Sequence, residues 1–196
     1  MNTLKAEKRS MDVKAKKLRR EGYVTGNLFG REIEGSIPLK FTKKEIEVLL
    51  KNNNKGSQVM LELDGKTYDA LIKEVDYNPL AHTVEEVDFQ ALVSNEMVHS
   101  VAEIILENEE MVVSGVLQDE LKEVAYKALP ADLVDKIKVD VAGMKIGDTL
   151  RVKDLEIAKN KNIHITTDLE SVIATVTPVH NVVPEAETAT EDAAEE

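Results

Sequence analysis

Cysteine and tryptophan are absent from the 196 residues, aromatic residues make up only 4%, and no apolar run approaches the length of a membrane span. The first absence excludes a disulfide frame and a thiolate metal site, which suits a reducing compartment. The shortage of rings means that any core is built from Val, Ile, Leu and Met, many of them β-branched, and this favours strands. The opening MNTLKAEKRS is charged and has no apolar signal-like segment, so a cytoplasmic chain without membrane contact is expected. At 42% apolar content the length suits one large domain or two ordinary ones.

Positive charge is also scarce: 25 Lys+Arg against 37 Asp+Glu leave a formal charge of −12. What there is gathers at the start, in KRSMDVKAKKLRREGYVTGNLFG. Lys5, Lys8, Arg9, Lys14, Lys16, Lys17, Arg19, Arg20 and Arg31 face only Glu7, Asp12 and Glu21 within the first 31 residues. Such a block in an acidic chain attracts a polyanion, while the acids elsewhere limit indiscriminate adhesion, and nucleic acid is the natural partner. The plainer reading is a solvated helix face or terminus. Tyr23 and Phe29 around Gly22 and Gly26 favour the first reading, since rings stack on bases and glycine admits a close phosphate. The charge split reinforces it. Residues 1–94 carry 16 basic and 15 acidic side chains, whereas 95–196 carry 9 and 22. RNA binding is therefore expected from the first part and none from the second.

The chemistry of catalysis is missing. His82, His99, His164 and His180 are scattered and lack His or Cys partners at ligand spacing, so neither a metal centre nor a triad can be assembled. The pairs Glu85-Glu86 and Glu109-Glu110 read as chance adjacency among 37 acids. No phosphate-binding glycine loop or nucleophile elbow occurs. No enzyme, cofactor or metal is expected.

Along the chain, Asn2 to Arg9 reads as a strand, Ala15 to Arg20 as a helical turn, and Tyr23 to Phe29 and Gly35 to Phe41 as extended segments. Pro38 in the last suits an edge or bulge. Thr42 with Glu45 forms a capping box, placing Ile46, Leu49 and Leu50 on one face of a helix that plugs a barrel end and stops at Asn52 to Gly56. From Ser57 the period becomes two. Val59, Leu61 and Leu63 share a face, Asp64-Gly65 makes a hairpin, Lys66 to Asp76 returns, and Asn78-Pro79 turns the chain. Val84 to Leu92 then turns Val87, Phe89 and Ala91 one way and Glu86, Asp88 and Gln90 the other. After a boundary near 93–97, strands are expected at 98–106, 115–118, 121–129, 136–141, 149–152, 163–166 and 172–179, as a β-sandwich or meander. Past Pro184 the tail EAETATEDAAEE holds six acids and no large apolar residue, so it is expected to be disordered.

LKAEKR, LRREGYVTGNLFG, the strand ending VDF, GVLQDELKEVAYKALPADL and VDVAGMKIGDTLRVKDL together resemble the bacterial large-subunit ribosomal protein family that binds 5S rRNA. The closer likeness is to its two-domain form, the general stress protein CTC. The resemblance runs from Leu4 to about Val179. It implies a mainly β fold: an N-terminal six-stranded β-barrel with short helices over residues 1–94, a β-rich C-terminal domain over 95–180, and the acidic tail at 181–196. It implies a structural role in the central protuberance, with 5S rRNA and large-subunit proteins as partners and a monomer when free. The implied RNA-binding residues are Arg9, Lys16, Arg19, Arg20, Phe29, Glu86 and Asp88. Phe29 stands where the family usually has tyrosine, Glu86 where it has histidine and Thr25 where it has proline, and basic residues around Pro79 are missing. The arginines lie in an apolar-poor segment and are expected to serve RNA rather than folding. Two alternatives stay open: a diverged paralogue with weakened 5S rRNA binding, and an acidic protein-interaction module.

Overall fold

The computed structural model describes residues 3–112 and 115–178. Asn2, Val179 and the acidic tail expected at 181–196 lie outside the described residues. The first half runs β1 (Thr3–Lys8), α1 (Ala15–Arg20), β2 (Tyr23–Phe29), β3 (Ser36–Thr42), α2 (Lys43–Leu50), β4 (Gln58–Leu63), β5 (Lys66–Asn78) and β6 (Thr83–Ala91). These strands close into a barrel of order β1-β3-β2-β6-β5-β4, as expected.

Two seams of the barrel are parallel. Thr3 to Ala6 of β1 pair with Met60 to Leu63 of β4, and Thr25, Leu28 and Phe29 of β2 face Glu86, Phe89 and Gln90 of β6. At the second seam the chains are very close. A Cβ on Gly26 would lie 2.1 Å from the Val87 carbonyl oxygen and 3.3 Å from the Phe41 ring. The glycine therefore serves strand against strand, not backbone against phosphate.

The period-two reading places the core correctly. Val59, Leu61, Leu63, Val87 and Phe89 are buried, with the Phe41 and Phe89 rings tilted at 5.4 Å. Helix α2 has the expected capping box on Thr42 and Glu45 and sends Ile46 and Leu49 into the same core. Pro38 differs from expectation. It lies within an uninterrupted β2–β3 register, just past the short β1–β3 pairing, and its carbonyl accepts from Arg9 N at 2.9 Å. Opposite Arg9 it accepts one ladder bond and has no N–H to return the other, so the β1–β3 pairing ends there.

The second half holds β7 (Val98–Glu107), β8 (Val116–Asp119), β9 (Glu123–Ala128), β10 (Lys136–Asp140), β11 (Thr149–Arg151), β12 (His164–Ile165) and β13 (Val172–Thr177). They form a four-stranded sheet β10-β7-β9-β12 and a three-stranded sheet β11-β13-β8. Ala102, Ile104, Val124 and Tyr126 of the first meet Ile173 and Ala174 of the second in one core, which Val152, Leu155, Ile157 and Ile163 fill from the connecting turns. The arrangement is a sandwich rather than a meander, because β10 returns parallel to β7.

Tyr126 is fully buried; its hydroxyl donates to Val134 O at 2.6 Å and accepts from Val134 N at 2.8 Å. Tyr126→Phe keeps the ring but strands both backbone groups. A loss of about 2 kcal/mol is expected in urea unfolding, within the range for unsatisfied buried polar groups. An unchanged midpoint would mean that water replaces the hydroxyl.

The halves touch at Gly56, whose φ of +90° no side chain adopts readily and whose missing Cβ would lie 1.9 Å from Val101 O. Around it Asn54 Nδ2 donates to Glu103 Oε2 at 2.5 Å, Ser57 Oγ to Asp135 Oδ2 at 3.2 Å, and Lys73 Nζ to His99 O at 2.9 Å.

Candidate nucleic-acid interface

The N-terminal basic run divides into committed and uncommitted cations. Lys8 pairs with Asp64 at 2.7 Å, Lys17 with Glu21 at 3.9 Å, Arg31 with Glu96 at 3.9 Å, and Arg19 with Glu85 and Glu86. Lys5, Arg9, Lys14, Lys16 and Arg20 enter no ion pair among the described residues. Lys40 of β3, which lies outside the N-terminal basic run and carries no signal of its own in the sequence, is committed as well. Its hydrogen bond to Glu7 raises its pKa, and its ammonium lies 4.9 Å from the centre of the Tyr23 ring.

Helix α1 is short, and only Leu18 is buried on it, so packing alone holds it weakly. Arg19 does the rest. Its Nε donates to Glu85 O at 3.1 Å, Nη1 to Glu85 Oε2 at 2.8 Å, and Nη2 to Glu86 Oε2 at 3.2 Å and Thr25 Oγ1 at 3.5 Å. Asn78 Nδ2 holds the other Glu85 oxygen at 2.7 Å. The expectation that Arg19 contributes little to folding is therefore corrected, because its guanidinium joins α1 to β2 and β6. Arg19→Ala leaves two half-buried glutamates without their cation. We expect a loss of about 1–2 kcal/mol in thermal or urea unfolding, typical of charged hydrogen bonds. A melting temperature equal to wild type would restore the purely RNA-facing role.

Asp88 is also tied into the fold. Its Oδ1 accepts from Asn27 N at 3.0 Å and Asn27 Nδ2 at 3.1 Å, supplying a hydrogen bond in the parallel β2–β6 seam. Glu86 Oε1 accepts from the same Asn27 amide at 3.3 Å. Arg19, Glu86 and Asp88 thus come together, with Thr25, Asn27 and Glu85. Phe29 does not join them. It sits half-buried at the far end of β2, opposite Gln90, four residues beyond Thr25 and so about 13 Å away. Arg9 is half-buried beside the loop after β1; its Nη2 donates to Val13 O at 3.2 Å, while its buried Nε has no partner.

Lys16 and Arg20 are exposed cations of the helix that enter no ion pair among the described residues, whereas Lys17, also exposed, pairs with Glu21. Lys16 and Arg20 stand at i and i+4, side by side, with no carboxylate between them. Like charges so placed disfavour an isolated helix. Here the helix is held by Arg19 and displays them outward, beside a strand pair whose surface is polar and half-buried.

Among the described residues no group of three His, Cys, Asp or Glu is placed to hold a metal, and no helix is long and apolar enough to cross a membrane.

The sequence model of the ribosomal L25p family matches residues 4–89, and that of the C-terminal domain of ribosomal protein TL5 matches residues 97–180. A large ribosomal subunit protein bL25 of Carboxydothermus hydrogenoformans is 33% identical over 198 residues, covering 96% of this chain and 98% of the relative. The chain belongs to the ribosomal L25p family. A bL25 of Bacillus velezensis is 30% identical, over 98% of this chain and 94% of its own. One from Akkermansia muciniphila is 31% identical, over 86% and 83%. This L25p member is a structural protein of the large ribosomal subunit, associated with rRNA on the cytoplasmic ribosome, and not an enzyme.

Proposed function

We propose that this L25p protein binds 5S rRNA within the central protuberance, through the face formed by α1, β2 and β6, and that it is a monomer when free. The observation that carries the reading is the Lys16–Arg20 pair. It is an unpaired, outward-facing cation couple on a helix whose other arginine is spent on fastening it to the barrel. Arg9, with its unpartnered buried Nε, and Phe29 extend the proposed contact along the neighbouring loop and strand. We also propose that residues 1–94 and 95–180 are separate domains, a division supported by their two distinct hydrophobic cores.

Filter binding of 5S rRNA across a salt series tests the reading. Wild type is expected to bind with a steep salt slope, and Lys16→Ala/Arg20→Ala to lower that slope by about 1.4–1.8, as removal of two phosphate contacts requires. An unchanged slope would remove α1 from the interface. The acids beside Arg19 support a second reading, a diverged copy with weakened affinity, which absence of wild-type binding would favour.

A further inference from the structure

In the four-stranded sheet of the acidic half, the β-ladder assembles residues far apart in the chain. His99 of β7 stands opposite Lys127 of β9, and Lys127 stands opposite His164 of β12. All three lie on the face turned away from the core, since Ser100, Tyr126 and Ala128 alternate with them and are buried. The row crosses two interstrand gaps and is about 10 Å long.

Two cations of the barrel extend it. Register shifts in β5 between Ile72, which faces Phe89, and Glu74, which faces Asp88, so Lys73 sits in a bulge. Bulges re-aim side chains, and this one brings Lys73 Nζ to within 2.9 Å of His99 O. Lys55 precedes Gly56 at the junction and is exposed; with Lys73 and His99 it borders a small recess there. Burial lowers the pKa of Lys73, as does Lys55; burial also lowers that of His99, helped by Lys127 and Lys73. Lys55, Lys73 and Lys127 enter no ion pair among the described residues. The acids of the same face, Glu103 and Glu123, lie farther along the strands from His99 and Lys127, where they face each other and share a second recess with Lys55, and Asn54 holds Glu103.

Lys55 and Lys73 of the barrel and Lys127 of the sandwich, with two imidazole donors beside them, make a local cationic surface where the barrel meets the acidic half, and such a surface suits an anion. We propose that Lys55, Lys73, His99, Lys127 and His164 form a second contact for the RNA phosphate backbone, bridging the barrel and the sandwich. This changes the picture drawn from charge totals, which gave the second half no part in RNA binding. The lysines supply charge and the imidazole N–H groups supply directed hydrogen bonds, so the contact positions RNA without reading its bases.

The proposal rests on the RNA-binding reading above, and two probes separate their failures. Full-length wild type, Lys55→Gln/Lys127→Gln and the control Lys66→Gln/Lys145→Gln are titrated with 5S rRNA and with a 20-base-pair duplex RNA over a salt series. The control removes the same charge from exposed lysines elsewhere. The junction variant is expected to bind both RNAs about tenfold more weakly, with a salt slope lower by about 1.4–1.8, while the control matches wild type. Equal behaviour of junction variant and control overturns the proposal. If wild type shows no preference for 5S rRNA, the 5S reading fails, and the duplex titration still decides the junction. If wild type binds neither RNA, both fail. Circular dichroism of each variant confirms that the fold is intact before binding is compared.

Discussion

Gly26→Ala is expected to lower the stability of the barrel by about 3 kcal/mol or more, the range of a forced overpacking inside a well-packed core. The added Cβ would meet the Val87 carbonyl oxygen at 2.1 Å and its carbon at 3.2 Å. Both are backbone atoms, so no rotamer change relieves the overlap, and the β2–β6 seam must open. That seam also carries the Asn27–Asp88 hydrogen bonds and adjoins the Phe41–Phe89 contact, so strain spreads into polar and apolar neighbours together. For a domain of ordinary stability this is a large fraction of the whole, and the melting temperature should fall by about 10 °C or more. A shift of only a degree or two would show that the parallel strands slide apart cheaply.

Glu86→His is expected to strengthen 5S rRNA binding by about tenfold. Glu85 and Glu86 share the one guanidinium of Arg19 while Asp88 is held by Asn27 nearby, which leaves an excess of negative charge beside the proposed RNA face. Removing one of these charges near phosphates is worth about 1–2 kcal/mol at the dielectric of a protein surface, close to a decade of affinity. Arg19 keeps Glu85 at 2.8 Å and its carbonyl at 3.1 Å, so the helix stays attached and the barrel should lose little stability. Phe29→Tyr, well away from this cluster, adds a smaller gain through its hydroxyl donor. Equal affinities for wild type and the double variant at two salt concentrations would show that Lys16 and Arg20 already offset the acids.

The strands, hairpin and capping box were legible because their signals are local. Val59, Leu61 and Leu63 repeat at two, Asp64-Gly65 follows at once, and Thr42 needs only Glu45 three residues on. The interface was legible as a charge run but not as a set of partners. A cation fastened to Glu85 reads the same in sequence as one free for RNA, and the Arg19–Glu85 pair spans 66 residues. Glu85-Glu86 carried the signal and looked like chance in so acidic a chain. Nothing near Gly26 names Val87 as its neighbour, and His99, Lys127 and His164 become a row only through β-pairing. The return of β10 alongside β7 was hidden for the same reason, since pattern shows which residues face inward and not which strand lies next.

The parallel β2–β6 seam has a consequence for the newborn chain. Thr25 must wait for Glu86, and Arg19 for Glu85, so α1 leaves the ribosome well before the strand that anchors it exists. At about 5–20 residues per second the delay is about 3–13 s. During that interval the N-terminal segment is a mobile polycation that meets RNA through charge alone, and discrimination by shape begins only when β6 closes the barrel. Nascent chains arrested before Thr83 should accordingly hold 5S rRNA and unrelated RNA equally and release both at modest salt, whereas chains extended past Ala91 should retain 5S rRNA selectively.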